Sequence, residues 1–287
     1  MPRDAAALTI ELLGQTPDAV EPLVVRPDRA TYRVAVGEWR YVVKTDHEHH
    51  VVAREVHGQQ RAAAAGVLVP EIVAVTEDAF AMRWIEGLPL GDERAPAAWE
   101  HAGSQLRVAH DLGAAAPFGL GFGGHEPAHP TWRDFFETLA ERELLYCEQE
   151  LGFPAGAAVC VRETLRAAAP LLDAPNLGWC HGDLQPEHVL VDPATDRVAS
   201  IIDWADHGSA DIGWDVMVLT IDHPARLDAF LAGYGASEDL RLAVARRLPL
   251  FTLVRLIGEA HWFAEHGFPI GENFRRAIAL AGVSDGG

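Results

Sequence analysis

The first third of the chain alternates apolar and polar positions, with β-branched and aromatic residues set between turn formers. That alternation predicts half-buried strands over residues 23–26, 31–36 and 39–44, the last two joined as a hairpin by Gly37-Glu38. After a histidine-containing loop at 46–50, residues 51–65 are rich in helix formers and stop at Gly66, with Pro70 shortly beyond. Residues 70–75 and 79–85 return to strand character, the second placing Phe80, Met82 and Trp84 on one face, and Glu86-Gly87-Leu88-Pro89 breaks the pattern. From Ala95 the character turns helical: 97–112, 132–151 and 155–172, bounded by proline and glycine. One short hairpin interrupts, 189–191 against 198–202 across a turn at 192–196, before helical stretches at 226–234 and 238–266. The pattern predicts an α+β chain, a small β-rich part over residues 1–86 followed by a larger, mainly helical part over 87–287.

Composition narrows the class. With 287 residues, 49% hydrophobic and 23% charged, the chain is an ordinary globular protein, neither a disulfide-stapled miniprotein nor a disordered one. Its net charge of −19 is unusual. Such a surface repels phosphate backbones, which argues against nucleic acid or an anionic membrane as partner, while a cationic small molecule would be drawn in. Cys147, Cys160 and Cys180 show no C-x-x-C spacing, so neither a disulfide framework nor a thiolate zinc site is indicated. The N-terminus lacks a basic start followed by a long apolar run, and no stretch of about 18 apolar residues occurs. A cytoplasmic protein is expected.

Chemistry concentrates around the hairpin. The stretch His181-Gly182-Asp183-Leu184-Gln185-Pro186-Glu187-His188 feeds its first strand, and Asp203 follows its second. Residues flanking the open end of a hairpin finish as neighbours, so His188 and Asp203 should face each other, with Asp183 able to join them. Two carboxylates and an imidazole around one point call for positive charge, and a hard divalent cation such as magnesium would bring phosphates with it. Phosphoryl transfer also needs a cation on the phosphates. Lys44 is the sole lysine of the chain, at the end of a predicted strand, and Glu55 on the following helix is placed to hold it.

With these residues in view, the sequence resembles the aminoglycoside phosphotransferase and choline kinase family. The resemblance runs through Tyr41-Val42-Val43-Lys44, Arg54-Glu55, Met82 to Gly87, Leu106 to His110, His181 to Val191, and Ile202-Asp203-Trp204 through Asp211 to Asp215. It implies a bilobal protein-kinase-like fold with ATP, or GTP as the alternative nucleotide, and Mg2+ in the cleft. It implies further that Asp183 is the catalytic base, that Asp203 and His188 hold the metal, and that Lys44, with Glu55 as partner, contacts the α- and β-phosphates. Adenine would pair with backbone near Arg83 and Ile85, and His181 would brace the loop. The implied activity is transfer of phosphate to a hydroxylated, cationic small molecule, an aminoglycoside first, with macrolides, amino alcohols and sugars behind it and a pseudokinase as the contrasting reading. A monomer or weak homodimer is expected. The chain departs from the family in having His188 where asparagine is common, in a glycine-free loop at 26–30, and in Trp204 after Asp203.

Other features read as structural. The run Gly119-Leu120-Gly121-Phe122-Gly123-Gly124 has no leading strand and reads as a connector, while His47, His49 and His50 read as solvated. Asp211 and Asp215 resemble supports of the metal loop. Trp132, Trp179, Trp214 and Trp262 read as packing residues.

Overall fold

The computed structural model describes residues 3–47, 49–122 and 127–282. Strands β1 (Ala19–Val25), β2 (Arg29–Val36), β3 (Trp39–Asp46), β4 (Ile72–Val75) and β5 (Ala79–Arg83) form one antiparallel sheet in the order β1-β2-β3-β5-β4. Consecutive strand residues face opposite sides, and here both sides are covered. Val43 packs in one cluster with Leu8 of helix α1 (Ala5–Leu13), whereas Val42 packs in another with Val52 of helix α2 (His49–Ala65). Lys44 therefore shares the α2 side of the sheet with Val42. Helix α1 was absent from the sequence reading. Its apolar run is capped by Asp4, whose side chain accepts from the Ala7 amide at 2.8 Å, and ends at Gly14 in the left-handed region.

After β5 the chain joins a second body. The two-residue strand β6 (Leu88–Pro89) pairs with β8 (Val189–Asp192), which pairs in turn with β9 (Arg197–Ile201). Strand β7 (Leu177–Cys180) pairs with β10 (Gly208–Asp211). Around these small sheets lie α3 (Pro96–His110), α4 (Trp132–Glu150), α5 (Ala155–Leu172), α6 (Gly213–Thr220), α7 (Leu227–Gly233), α8 (Glu238–Glu265) and α9 (Gly271–Leu280). Their common core is rich in aromatic rings, with Trp132, Phe136, Trp214 and Phe251 packed on one another. Helix α6 escaped the sequence pattern because it is buried all round, so it has no polar face to mark a period.

The hairpin expected at 189–202 is present, with Val189 opposite Ile201 and the Ile202 amide donating to the His188 carbonyl at 2.9 Å. Gly119 to Gly121 lie beside β10, and Gly123 and Gly124 fall outside the described residues. His47 and His50 are exposed. Trp132, Trp179 and Trp214 are buried as read, but Trp262 is exposed, stacked on His266 at 4.0 Å and beneath the Arg26 guanidinium at 5.0 Å. Among the described residues, no helix is long and apolar enough to cross a membrane.

Candidate active site

The site forms where the β-rich part meets the hairpin. Strand β3 delivers Lys44, whose Nζ donates to Glu55 Oε1 of α2 at 2.6 Å and lies 3.6 Å from Asp203 Oδ1. Burial disfavours the charge on Lys44, but Asp203 and Glu55 more than offset it and hold the ammonium above its ordinary pKa. Burial pushes the Glu55 carboxyl up to about 7 against the pull of Lys44, and Asp203, a second acid nearby, adds to the rise.

Asp203 follows β9 in the left-handed region, at φ 65°, an uncommon conformation for a residue with a Cβ. Its Oδ2 lies 3.6 Å from His188 Nε2. Desolvation opposes its ionisation, yet Lys44 and His188 hold Asp203 well below the usual carboxylate range. His188 Nδ1 lies 2.7 Å from the Asp183 carbonyl, so Nδ1 carries a hydrogen, and Nε2, facing Asp203, is the nitrogen whose lone pair a bound cation would take. Burial lowers the basicity of His188, but Asp203 and Asp183 reverse this and raise its pKa. In donor type and tautomer, His188 Nε2 and the Asp203 carboxylate fit a small divalent cation.

Asp183 is the third predicted group. Its Oδ2 accepts from Gln185 Nε2 at 2.8 Å, and its Oδ1, which makes no hydrogen bond of good geometry, is 2.9 Å from Arg255 Nη1 of α8. Desolvation would raise this carboxyl, but Arg255, His188 and Gln185 together bring it below its ordinary value. Asp206, beside both Asp183 and Asp203, is pushed up to about 7 by burial and by those two acids.

A buried brace holds the loop that carries Asp183. The Asp215 carboxylate accepts from the His181 amide at 2.7 Å and the Gly182 amide at 2.9 Å, and His110 Nε2 approaches it at 3.1 Å. Gly182 has φ +91°, and a Cβ there would strike the Asp206 carbonyl, so the loop needs glycine at this point. The fully buried His181 lies with Nε2 2.9 Å from the Ile202 carbonyl, tying the loop to the residue before Asp203. The tighter grouping of ligand types, His110, Cys180 and Asp215, belongs to this brace, and burial keeps the Cys180 thiol protonated. Asp211 accepts from the Gly213 amide at 2.8 Å and pairs with Arg247 at 3.3 Å, away from the reacting groups.

Helix α2 is bound to the Asp203 segment as well as to Lys44. Arg54 donates to the carbonyls of Ala205 at 3.1 Å and His207 at 2.6 Å, and His57 Nδ1 meets His207 Nε2 at 3.2 Å. A cavity of about 540 Å³ on the far side of this contact, lined by His57, Arg61, Trp179 and His207 among others, contains none of the predicted site residues.

Residues 24–248, well over half of the chain, match the phosphotransferase enzyme family. The chain belongs to that family. Over 66 residues it is 44% identical to an aminoglycoside 3'-phosphotransferase of Streptomyces fradiae, a match covering 20% of this chain and 25% of that relative. In fold it is similar to a candidate fructosamine-3-kinase of Thermobifida fusca, with TM-score 0.72 and 24% identity over 96% of this chain and 99% of that one. It is similar also to choline kinase LicA of Streptococcus pneumoniae, with TM-score 0.69 and 17% identity over 96% and 98% of the two chains. The aminoglycoside phosphotransferase APH(2'')-IIa, solved with streptomycin and ATP, gives TM-score 0.70 and 14% identity over 99% and 98%. At these identities the likeness is one of fold, the bilobal protein-kinase-like arrangement expected above.

Within this phosphotransferase fold, the residues read from the sequence as Lys44, Glu55, Asp183, His188 and Asp203 lie together, and the adenine positions are divided. The Arg83 amide donates to the Glu71 carbonyl at 2.8 Å and its guanidinium stacks on Trp39 at 4.0 Å, which leaves the Arg83 carbonyl, not its amide, as the backbone atom a base could use there. The Ile85 amide and carbonyl carry no hydrogen bond among the described residues. Sequence reading missed Arg255, Gln185 and Arg29. Arg29, the first residue of β2 at the end of the glycine-free turn, adds its positive charge to the field on Lys44 and Asp203. The one available signal for Arg255 was its spacing of four from Glu259, common on any exposed helix.

Proposed function

We propose that this phosphotransferase moves the γ-phosphate of ATP to a hydroxyl of a small molecule, first among them an aminoglycoside-type antibiotic. What supports the reading is one convergence. Lys44 from the sheet and Asp203 and His188 from the hairpin lie within 3.6 Å of their neighbours, and Asp183 borders the same space. In this reading residues 1–86 form the nucleotide-binding lobe and 87–287 the catalytic and acceptor-binding lobe, with the open Ile85 backbone facing adenine. Lys44, kept charged by Glu55 and Asp203, binds phosphate oxygens, and Arg29 adds positive potential. Mg2+ would be held by His188 and Asp203, and would supply charge neutralisation on the phosphates. Asp183 orients the acceptor hydroxyl and takes its proton as the new oxygen–phosphorus bond forms. The bond from the γ-phosphorus to the bridging oxygen breaks, and ADP leaves.

The acidic surface, and the short match to an aminoglycoside 3'-phosphotransferase, favour a cationic acceptor. The test is ADP release with a panel of aminoglycosides, macrolides, amino alcohols and sugars, run on the wild type and on Asp183→Ala. Turnover on an aminoglycoside that falls at least a thousandfold in Asp183→Ala, with ATP binding retained, is the expected result. Activity confined to another acceptor class would move the substrate assignment. Full turnover by Asp183→Ala would overturn the base assignment, and ATP binding without turnover in the wild type would make the chain a pseudokinase.

A further inference from the structure

Arg255 belongs to no pattern read from the sequence, yet its guanidinium lies against the carboxylate proposed to receive the acceptor proton. Its Nη1 is 2.9 Å from Asp183 Oδ1, while its Nε donates to Glu259 Oε1 at 2.6 Å. Residues 255 and 259 are one turn apart on α8, so the glutamate fixes the arginine before any ligand arrives. Glu259 is itself held, its Oε2 accepting from Asn273 Nδ2 of α9 at 3.1 Å, and Asn273 is buried. A relay of three side chains thus runs from α9 through α8 to the loop carrying Asp183. From the opposite side Gln185 Nε2 donates to Asp183 Oδ2 at 2.8 Å. The carboxylate is clamped between its own loop and a helix from a remote part of the chain.

The clamp answers a local problem. Asp203 acts on Asp183 as a like charge, with the Asp206 carboxyl beside them both, and a carboxylate so crowded turns away unless a cation holds it. A guanidinium is suited to the task because its planar fork can face two acids at once, Glu259 through Nε and Asp183 through Nη1, so that anchoring on the first fixes where the charge stands beside the second, which an ammonium cannot do. An attacking hydroxyl depends on where that carboxylate points, since small errors of aim at the reacting centre cost large factors in rate. Resting on the phosphotransferase reading above, we propose that Arg255 is the positioning residue of Asp183, aiming its carboxylate at the incoming hydroxyl, and that Glu259 and Asn273 hold Arg255 in place.

The experiment compares Arg255→Gln, Arg255→Lys and Glu259→Gln with the wild type, using the best acceptor of the panel and, in parallel, ATP hydrolysis without acceptor. Melting temperature and ATP affinity are measured for each variant. Arg255→Gln is expected to lower kcat by about 30- to 100-fold, with the ATP Kd unchanged within about twofold and the acceptor KM within about threefold. Arg255→Lys is expected to recover about tenfold of that loss, because the charge remains and only the fork is gone. Glu259→Gln, which loosens the arginine without touching Asp183, is expected to lower kcat by about fivefold. If no acceptor is used, acceptor-free hydrolysis should rank the variants in the same order. Wild-type kcat in Arg255→Gln would overturn the proposal, as would a loss that falls wholly on acceptor KM, or one that Arg255→Lys shares in full along with a lowered melting temperature. A wild type that turns over no ATP with acceptor or water fails at the underlying reading instead, and overturns both.

Discussion

His188 shows what a single ring can do in this site. Its Nδ1–H is spent on the Asp183 carbonyl at 2.7 Å, which leaves Nε2 facing Asp203. Asparagine can reproduce both functions, an N–H donor and an oxygen ligand. His188→Asn is therefore expected to keep kcat within about tenfold of the wild type in the ADP-release assay. Complete inactivity in a variant that still melts normally would refute the ligand reading of this residue. Lys44→Ala should act differently, because Glu55 and Asp203 lose their shared cation. The expected outcome is a rise of about tenfold or more in ATP KM together with a lower melting temperature, read by steady-state kinetics and thermal unfolding.

Between elements, the contact that matters most to the site is that of α2 with the segment following Asp203. Arg54, His57 and Gly58 lie on one face of α2 by their spacing and meet Trp204 to His207. A Cβ at Gly58 would come within 2.6 Å of the Trp204 carbonyl and of His207 Nδ1. Alanine is ordinarily the better helix former by about 1 kcal/mol, but backbone overlap of this kind costs about 1–3 kcal/mol. Gly58→Ala should consequently destabilise, and should reduce activity by displacing Glu55 and Asp203 together, which denaturant unfolding and ATP turnover would reveal.

The same contact carries a pH dependence. Burial, with Arg54 and His57 adding to it, pushes His207 down to about 3, although the Trp204 carbonyl favours the protonated ring. An unfolded histidine titrates near 6.5, so the unfolded chain binds the extra proton between the two values and stability falls as pH drops below about 6.5. The loss from this residue should reach about 2 kcal/mol at pH 5. His207→Asn keeps a donor toward Trp204 and has nothing to titrate, so it should flatten the slope of stability between pH 7 and 5. An unchanged slope in that variant would show that other groups carry it.

For the molecule as a whole, the net charge of −19 acts at long range and is screened by salt. With a cationic acceptor, kcat/KM should fall severalfold between about 20 and 500 mM NaCl, while an uncharged acceptor should show little change. Equal salt dependence for the two would show that the acidic surface does not draw the acceptor in.

Several features of the site were legible in the chain because they follow from local rules. A predicted strand ended on Lys44, a hairpin with a short turn set His188 to face Asp203, and helical spacing put Glu55 on a face able to hold the lysine. Each depends on residues close in sequence and on periods that hold in any fold. The tertiary structure alone decided the rest. Arg255 lies 72 positions from Asp183 in the chain, and which face of a long, largely buried helix it occupies depends on how α8 packs against α4, α6 and α9. The Arg83 amide was lost to a neighbouring chain segment for the same reason, since no local rule tells a strand which backbone group its partner will take. What the sequence determined is which neighbouring charged groups converge, because strand, hairpin and helix periods are local, and what packing decided is which remote side chains hold them.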